Sequence, residues 1–354
     1  MPVPEFDFSH YYKYDELVGF LQTMVEAYPT LIATETIGKS YEGRDIPIAL
    51  ITNQATGPAL EKPGYWIDAN THAGEVTGSA VALYTIHHLL TGYGSDAQVT
   101  RLLDEYVVYV LPRITVDGSE KYLTTPHMLR SSVRLYPYED ERDGLQRADV
   151  NGDDRILQMR LKDENGAWKV LEQDPRVMRR REPDDFGGTY YSLLPEGLIR
   201  NYDGYEIKIA PAPEGLDFNR NYPYMWAPEG EQYGAGDFPL SEPETRAVMR
   251  FLSAVRPAYV LSFHQPLHSV DVTTRPRFSR RVAAALGLPT SHLDCGSTCH
   301  GTMTMWFNHR YPGFALTVEY GASPSAATLR AAPDAILRLF GAWRGGVAGV
   351  ASTG

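Results

Sequence analysis

Three short apolar runs in this chain end on side chains that a hydrophobic core has no use for. Tyr65-Trp66-Ile67-Asp68-Ala69 leads through Asn70-Thr71 into His72, with Glu75 three residues on. Ala258-Tyr259-Val260-Leu261-Ser262-Phe263 runs into His264, and Phe314-Ala315-Leu316-Thr317-Val318 into Glu319. Runs of this length and β-branched or aromatic content read as buried strands. Ligands of an open α/β sheet bind at the carboxyl ends of its strands. The ends of these three strands are therefore where chemistry is expected.

The rest of the chain supplies the helices such a sheet needs. Residues 12–27 carry Leu17, Phe20, Leu21, Met24 and Val25 at helical spacing, and Pro29 follows. Short strands are expected near 33–38 and 46–52, joined by the turn Tyr41-Glu42-Gly43-Arg44-Asp45. A helix over 76–91 and a strand at Val107–Leu111, stopped by Pro112, come next. Later, Ser241-Glu242-Pro243-Glu244 reads as a capping box opening a helix to about Val255. Helices are expected over 277–286 and 326–343. Alternating helices and strands predict an α/β fold with a mixed sheet.

Residues 136–216 break this rhythm. They are rich in Pro, Gly, Asp, Glu and Arg, with strand-like fragments at 156–161 and 205–209. This segment reads as a loop-and-hairpin insertion in one catalytic domain spanning 1–354. Within it, Asp149, Asn151 and Asp153 form D-x-N-x-D, the start of a calcium loop. Asp154 and Arg160 stand where an EF-hand loop needs Gly and Glu, so an acidic solvated turn is the alternative.

Composition narrows the function classes. The net charge of −11 argues against nucleic acid as a partner. No apolar run reaches the roughly 18 residues of a membrane span. The two cysteines, Cys295 and Cys299, exclude a disulfide scaffold. With His300 they make a local cluster, read as free thiols or one local disulfide rather than a metal site. The first 30 residues lack a basic start followed by an apolar run, and the expected location is the cytoplasm.

His72, Glu75 and His264 are the residue types that hold zinc while leaving one position open. Glu319 suits a general base for a metal-bound water. In Asp217-Phe218-Asn219-Arg220-Asn221-Tyr222, Arg220 offers a planar fork for a carboxylate, with Asn219 beside it.

Together with Leu111-Pro112, Val116-Asp117-Gly118, Ser262-Phe263-His264 and Thr317-Val318-Glu319, these motifs resemble, in order, those of the zinc metallocarboxypeptidases related to carboxypeptidases A and B. The resemblance runs from about residue 10 to 340. It implies a three-layer α/β/α sandwich, zinc on His72, Glu75 and His264, and Glu319 as general base. It implies that Asn219 and Arg220 bind the terminal carboxylate of a peptide substrate. Arg130 matches the arginine that stabilises the oxyanion, with Arg134 as its rival. Thr304 falls at the specificity-pocket position, where it is neither acidic nor large and apolar.

The chain departs from the family pattern at four places. Gly74 stands where an arginine is frequent, and Pro266 where a tyrosine is frequent. The substrate-capping tyrosine falls near Ser297, leaving His300 and Tyr311 as candidates for its role. The insertion is expected to rim the active-site mouth and restrict it to short peptides. The reading that results is a zinc exopeptidase. A zinc amidase acting on a murein peptide or other non-protein amide is the alternative. A silent binding module would not need the triad together with Glu319.

Overall fold

The computed structural model describes residue 3 and residues 5–140, 142–293 and 300–341. Cys295, Cys299 and Ser297 lie outside the described residues. The chain separates into two compact units. The first comprises Met1–Leu123, Met128–Pro137 and Glu214–Gly354, and the second Thr124–His127 and Tyr138–Pro213.

In the first unit, α1 (Tyr14–Ala27) precedes the hairpin β1 (Ile32–Lys39) and β2 (Asp45–Ile51). Then come β3 (Gly64–Ala69), α2 (Val76–Gly92), α3 (Ala97–Glu105), β4 (Val107–Leu111) and α4 (Val116–Thr124). The second unit holds β5 (Gly144–Arg147), β6 (Gln158–Lys162), β7 (Trp168–Leu171), β8 (Asp174–Arg180), β9 (Tyr191–Pro195) and β10 (Gly197–Arg200). These form a four-stranded sheet ordered β6-β9-β7-β8 and a β10-β5 pair, all antiparallel. The expected strand at 205–209 is absent. Only Ile209 makes an isolated bridge, to Leu145.

The first unit resumes with α5 (Pro243–Val255), β11 (Tyr259–His264), β12 (Leu267–Asp271) and α6 (Pro276–Leu286). It ends with β13 (Thr290–Ser291), α7 (Met303–Arg310), β14 (Phe314–Gly321) and α8 (Ala326–Gly341). Its eight strands run in the order β1-β2-β4-β3-β11-β14-β12-β13. The central four, β4, β3, β11 and β14, are mutually parallel, and antiparallel pairings flank them.

Strand alternation distributes each central strand between two cores. Tyr65, Ile67 and Ala69 of β3, with Leu261 and Phe263 of β11 and Leu316 and Val318 of β14, pack with α1, α2, α3, α6 and α8. Trp66, Val260 and Ala315 pack on the other face with α5 and α7. Helices thus cover both faces, the expected sandwich. Parity then places Asp68, Ser262, His264, Thr317 and Glu319 on the α5/α7 face. Parallel register sets His264 beside Glu319, and Ser262 beside Asp68 and Thr317. No helix among the described residues is long and apolar enough to cross a membrane.

The capping box does not form. Ser241 Oγ donates to Glu242 Oε1 at 2.7 Å, and Glu244 Oε1 accepts the Tyr41 N–H at 2.9 Å. Glu242 occupies the N-cap, but its side chain makes no capping bond to the helix. Ser241 thus bonds its neighbour and Glu244 a distant backbone N–H instead of each other, and burial lifts the Glu244 carboxyl to about 7, with Asp117 adding to it and the Tyr41 N–H opposing.

Candidate active site

β3 is followed by α2 and then β4 on one side of it, while β11 lies on its other side. The crevice between the ends of β3 and β11 is therefore the point where strand order reverses, and ligands bind at such crevices. Asn70 turns the chain out of β3 with φ of 59°, a left-handed conformation that Asn tolerates. Its amide nitrogen donates to the carbonyls of His72 at 2.6 Å and Ala73 at 3.3 Å, and its oxygen accepts from Ser119 Oγ at 2.8 Å. The loop is thus held from its own first residue. It places Glu75 at the N-cap of α2, where the helix dipole favours a carboxylate.

His72, Glu75 and His264 meet. Glu75 Oε1 lies 2.7 Å from His72 Nδ1, and Oε2 lies 2.7 Å from His264 Nδ1. The two Nδ1 atoms are 3.3 Å apart. Four-coordinate zinc with bonds near 2.1 Å has ligands about 3.4 Å from one another. Two imidazoles and a carboxylate at this spacing fit zinc with small side-chain adjustment. Among the described residues, this is the group of three or more metal-binding side chains whose ligand atoms converge.

Each imidazole is anchored through its far nitrogen. His72 Nε2 is 3.0 Å from Asp217 Oδ1, and Asp217 Oδ2 accepts from Arg130 Nε at 2.9 Å. His264 Nε2 is 3.2 Å from Ser262 Oγ, which donates to Asp68 Oδ1 at 2.6 Å. The Trp66 indole N–H holds the other Asp68 oxygen at 2.6 Å. Such outer partners fix the ring orientation and tautomer of a metal ligand. Asp217→Asn is expected to weaken zinc binding by about 10–100-fold, measured by competition with a chelator.

Charge balance follows the same contacts. Burial opposes ionisation of Glu75, but His72 and His264 outweigh it and hold the carboxyl below its usual range. Burial likewise opposes charge on Asp217, and Arg130 and His72 outweigh it. Burial also opposes the imidazolium of His264, yet Glu75 and Glu319 hold that ring above its ordinary value. Glu319 differs in sign. Burial, with help from Glu75, lifts its carboxyl against the pull of His264. Among the described residues its only hydrogen-bond partner is the Leu267 N–H, at 3.4 Å.

Arg130 reaches this centre and Arg134 does not. Arg130 Nη1 lies 3.6 Å from Glu75 Oε1, whereas Arg134 pairs with Glu242 at 2.7 Å and Asp237 at 3.3 Å. The Arg130 backbone carbonyl accepts from Ala73 N–H at 2.8 Å. Gly118 makes the segment's approach possible, because a Cβ there would lie 2.0 Å from the Ser131 carbonyl oxygen. At Gly74 a Cβ would sit 3.1 Å from the Tyr122 ring.

Every expected site residue except Glu75 lines one cavity of about 640 Å³: His72, His264, Glu319, Arg130, Asn219, Arg220 and Thr304. Arg220 Nη1 donates to the Asn219 carbonyl at 2.8 Å, and Asn219 Oδ1 accepts from Met303 N–H at 3.2 Å. His300 and Tyr311, the candidates for the missing tyrosine, do not line it. His300 Nδ1 bonds the Met225 carbonyl, and Tyr311 packs on Trp306 and Phe307. In the second unit, Asp149 accepts from the N–H groups of Gly152, Asp153 and Asp154, and Asn151 Nδ2 bonds Asp153.

Asp217 begins the motif that contains Arg220, yet only its contacts with His72 and Arg130 reveal its role. Asp68 was equally visible, as a carboxylate in the middle of an apolar strand. Such a residue needs partners, and here it has two.

The family model described as zinc carboxypeptidase matches residues 17–270. Carboxypeptidase A2 of Rattus norvegicus is 31% identical over 127 residues, covering 36% of this chain and 29% of that protein. Carboxypeptidase A6 of Mus musculus is 24% identical over 290 residues, covering 78% of this chain and 49% of that protein. These matches span less than half the length of either relative. The crystal structure of carboxypeptidase A from Helicoverpa armigera superposes with a TM-score of 0.59 at 16% identity, covering 94% of this chain and 71% of that one. That likeness is one of fold.

Proposed function

The chain belongs to the zinc carboxypeptidase family, and from that premise we propose that it is a zinc-dependent exopeptidase releasing the last residue of peptides with a free C-terminal carboxylate. One observation carries this reading. His72 and His264, a weakly engaged buried carboxylate and the Arg220 fork line a single cavity.

His72, Glu75 and His264 would hold the metal. Bound zinc supplies a Lewis acid and lowers the pKa of a coordinated water. Glu319 accepts the proton of the attacking water on its carboxylate and delivers it to the departing amine. Its lifted affinity for a proton suits both halves of that task. Arg130 donates to the oxygen that becomes negative as the carbonyl is attacked, and Asp217 keeps its guanidinium in place. Arg220, with Asn219, binds the terminal carboxylate and so selects the last peptide bond.

Peptides identical except for a free or amidated C-terminus test the reading. Only the free form is expected to lose its last residue. Cleavage indifferent to the carboxylate would support the amidase reading instead. Arg220→Ala is expected to lower kcat/KM on the free form by about 10²-fold or more, because a buried carboxylate then loses its partner. The amidated form never used that partner, so the discrimination between the two should collapse.

A further inference from the structure

Once roles are given to the metal ligands, Glu319, Arg130 and Arg220, one acidic side chain lining the cavity is left over: Asp271. It ends β12, which runs antiparallel to β14 with Ser269 opposite Glu319 and Val270 opposite Val318. Asp271 therefore sits two residues along the strand from the level of Glu319, roughly 7 Å. That displacement compares with the reach of a long substrate side chain.

We propose that Asp271 makes the cavity selective for a C-terminal residue whose side chain ends in an ammonium group, lysine ahead of arginine. This rests on the carboxypeptidase reading. Asp271 Oδ1 is already occupied. It accepts from Thr273 N–H at 2.9 Å, Thr273 Oγ1 at 2.5 Å and Leu293 N–H at 3.4 Å. Oδ2 has no hydrogen-bond partner among the described residues. A guanidinium fork is best matched by two carboxylate oxygens, whereas an ammonium needs one and is satisfied by hydroxyls for the rest. Thr273, Thr274 and Thr304 supply hydroxyls in the lining, while Leu293 and Met305 offer apolar surface for the methylene stem. Thr304, the expected specificity position, contributes no charge, so the charge comes from a different strand.

The competing account is that Asp271 only braces its own turn. Asp271→Asn separates the two, because its side-chain oxygen still accepts the three Oδ1 bonds while the negative charge is lost. Peptides ending in lysine, arginine or norleucine, the last matching lysine without its ammonium, are compared on the zinc-loaded protein. The wild type is expected to favour lysine over norleucine by about tenfold or more in kcat/KM, as a charge-assisted bond allows. Arginine should fall between them. In Asp271→Asn the lysine-to-norleucine ratio should fall by a similar factor. An unchanged ratio overturns the proposal.

Calorimetric binding of Nα-acetyl-lysine and Nα-acetyl-norleucine supplies a readout without turnover. Equal binding by the wild type overturns the proposal, whatever the variant does. Preferential binding of Nα-acetyl-lysine that depends on Asp271, with no peptide cleaved, would keep this assignment and overturn the carboxypeptidase reading.

Discussion

Glu319→Gln is expected to lower kcat by roughly 10²–10⁴-fold while zinc stays bound. Glutamine keeps the size of the side chain and an oxygen for the Leu267 N–H. It cannot take a proton. Glu319 is not part of the convergent donor group, so metal content should not follow activity. The parallel register that sets it beside His264 fixes its distance from the metal centre through backbone, not through a mobile loop. Zinc content by mass spectrometry under native conditions, alongside single-turnover rates, checks both halves. A variant that loses its zinc together with its activity would make Glu319 a ligand and leave the base unassigned.

His264→Ala carries the second large effect, and it acts on binding and stability together. One of three donors disappears, so zinc retention should fail and hydrolysis fall to background. In the metal-free protein the same change leaves the buried Glu75 carboxylate with one imidazole partner fewer. Stranding one member of a buried charged pair costs about 3–5 kcal/mol; His72 at 2.7 Å and Arg130 at 3.6 Å still face Glu75, so the loss should fall below that. The unfolding midpoint of the metal-free variant should therefore drop as well. Glu75→Gln gives the complementary case. It also loses a zinc ligand, but it removes the buried charge instead of weakening its pairing, so metal-free stability should suffer less. Denaturant titrations of both variants without metal measure the difference.

Much of this was legible because the informative residues interrupt patterns. His72, His264 and Glu319 are conspicuous at the ends of apolar strands, although only the register of β11 and β14 sets His264 and Glu319 on one face. What the sequence lacked was register and distance. Arg130 and Arg134 are four residues apart in similar surroundings, and only the placement of Asp217 and Glu242 separates them. The Ser241–Glu244 box failed because its side chains found partners in Asn221, Glu242 and Tyr41.

Short elements were the hardest to see. α7 carries Met303, Trp306 and Phe307 against the core, too brief for a period to show, although Thr302 caps it as a helix start should be capped. β12 is five residues long with no alternation of polar and apolar side chains, and it gains its meaning only from pairing with β14, which brings Asp271 to the cavity. The α5 and α7 side of the sheet thus contributes more of the site than the motifs alone indicated.

The central claim is that His72, Glu75 and His264 hold a single zinc on which release of a C-terminal residue depends. Adding zinc stepwise to chelator-treated protein, while following release of the last residue from a free-carboxylate peptide, tests it most directly. The account predicts no release without metal, a rise that saturates at one equivalent, and no rise in Glu75→Gln. Release by the metal-free protein, or a rise that survives in that variant, would contradict it.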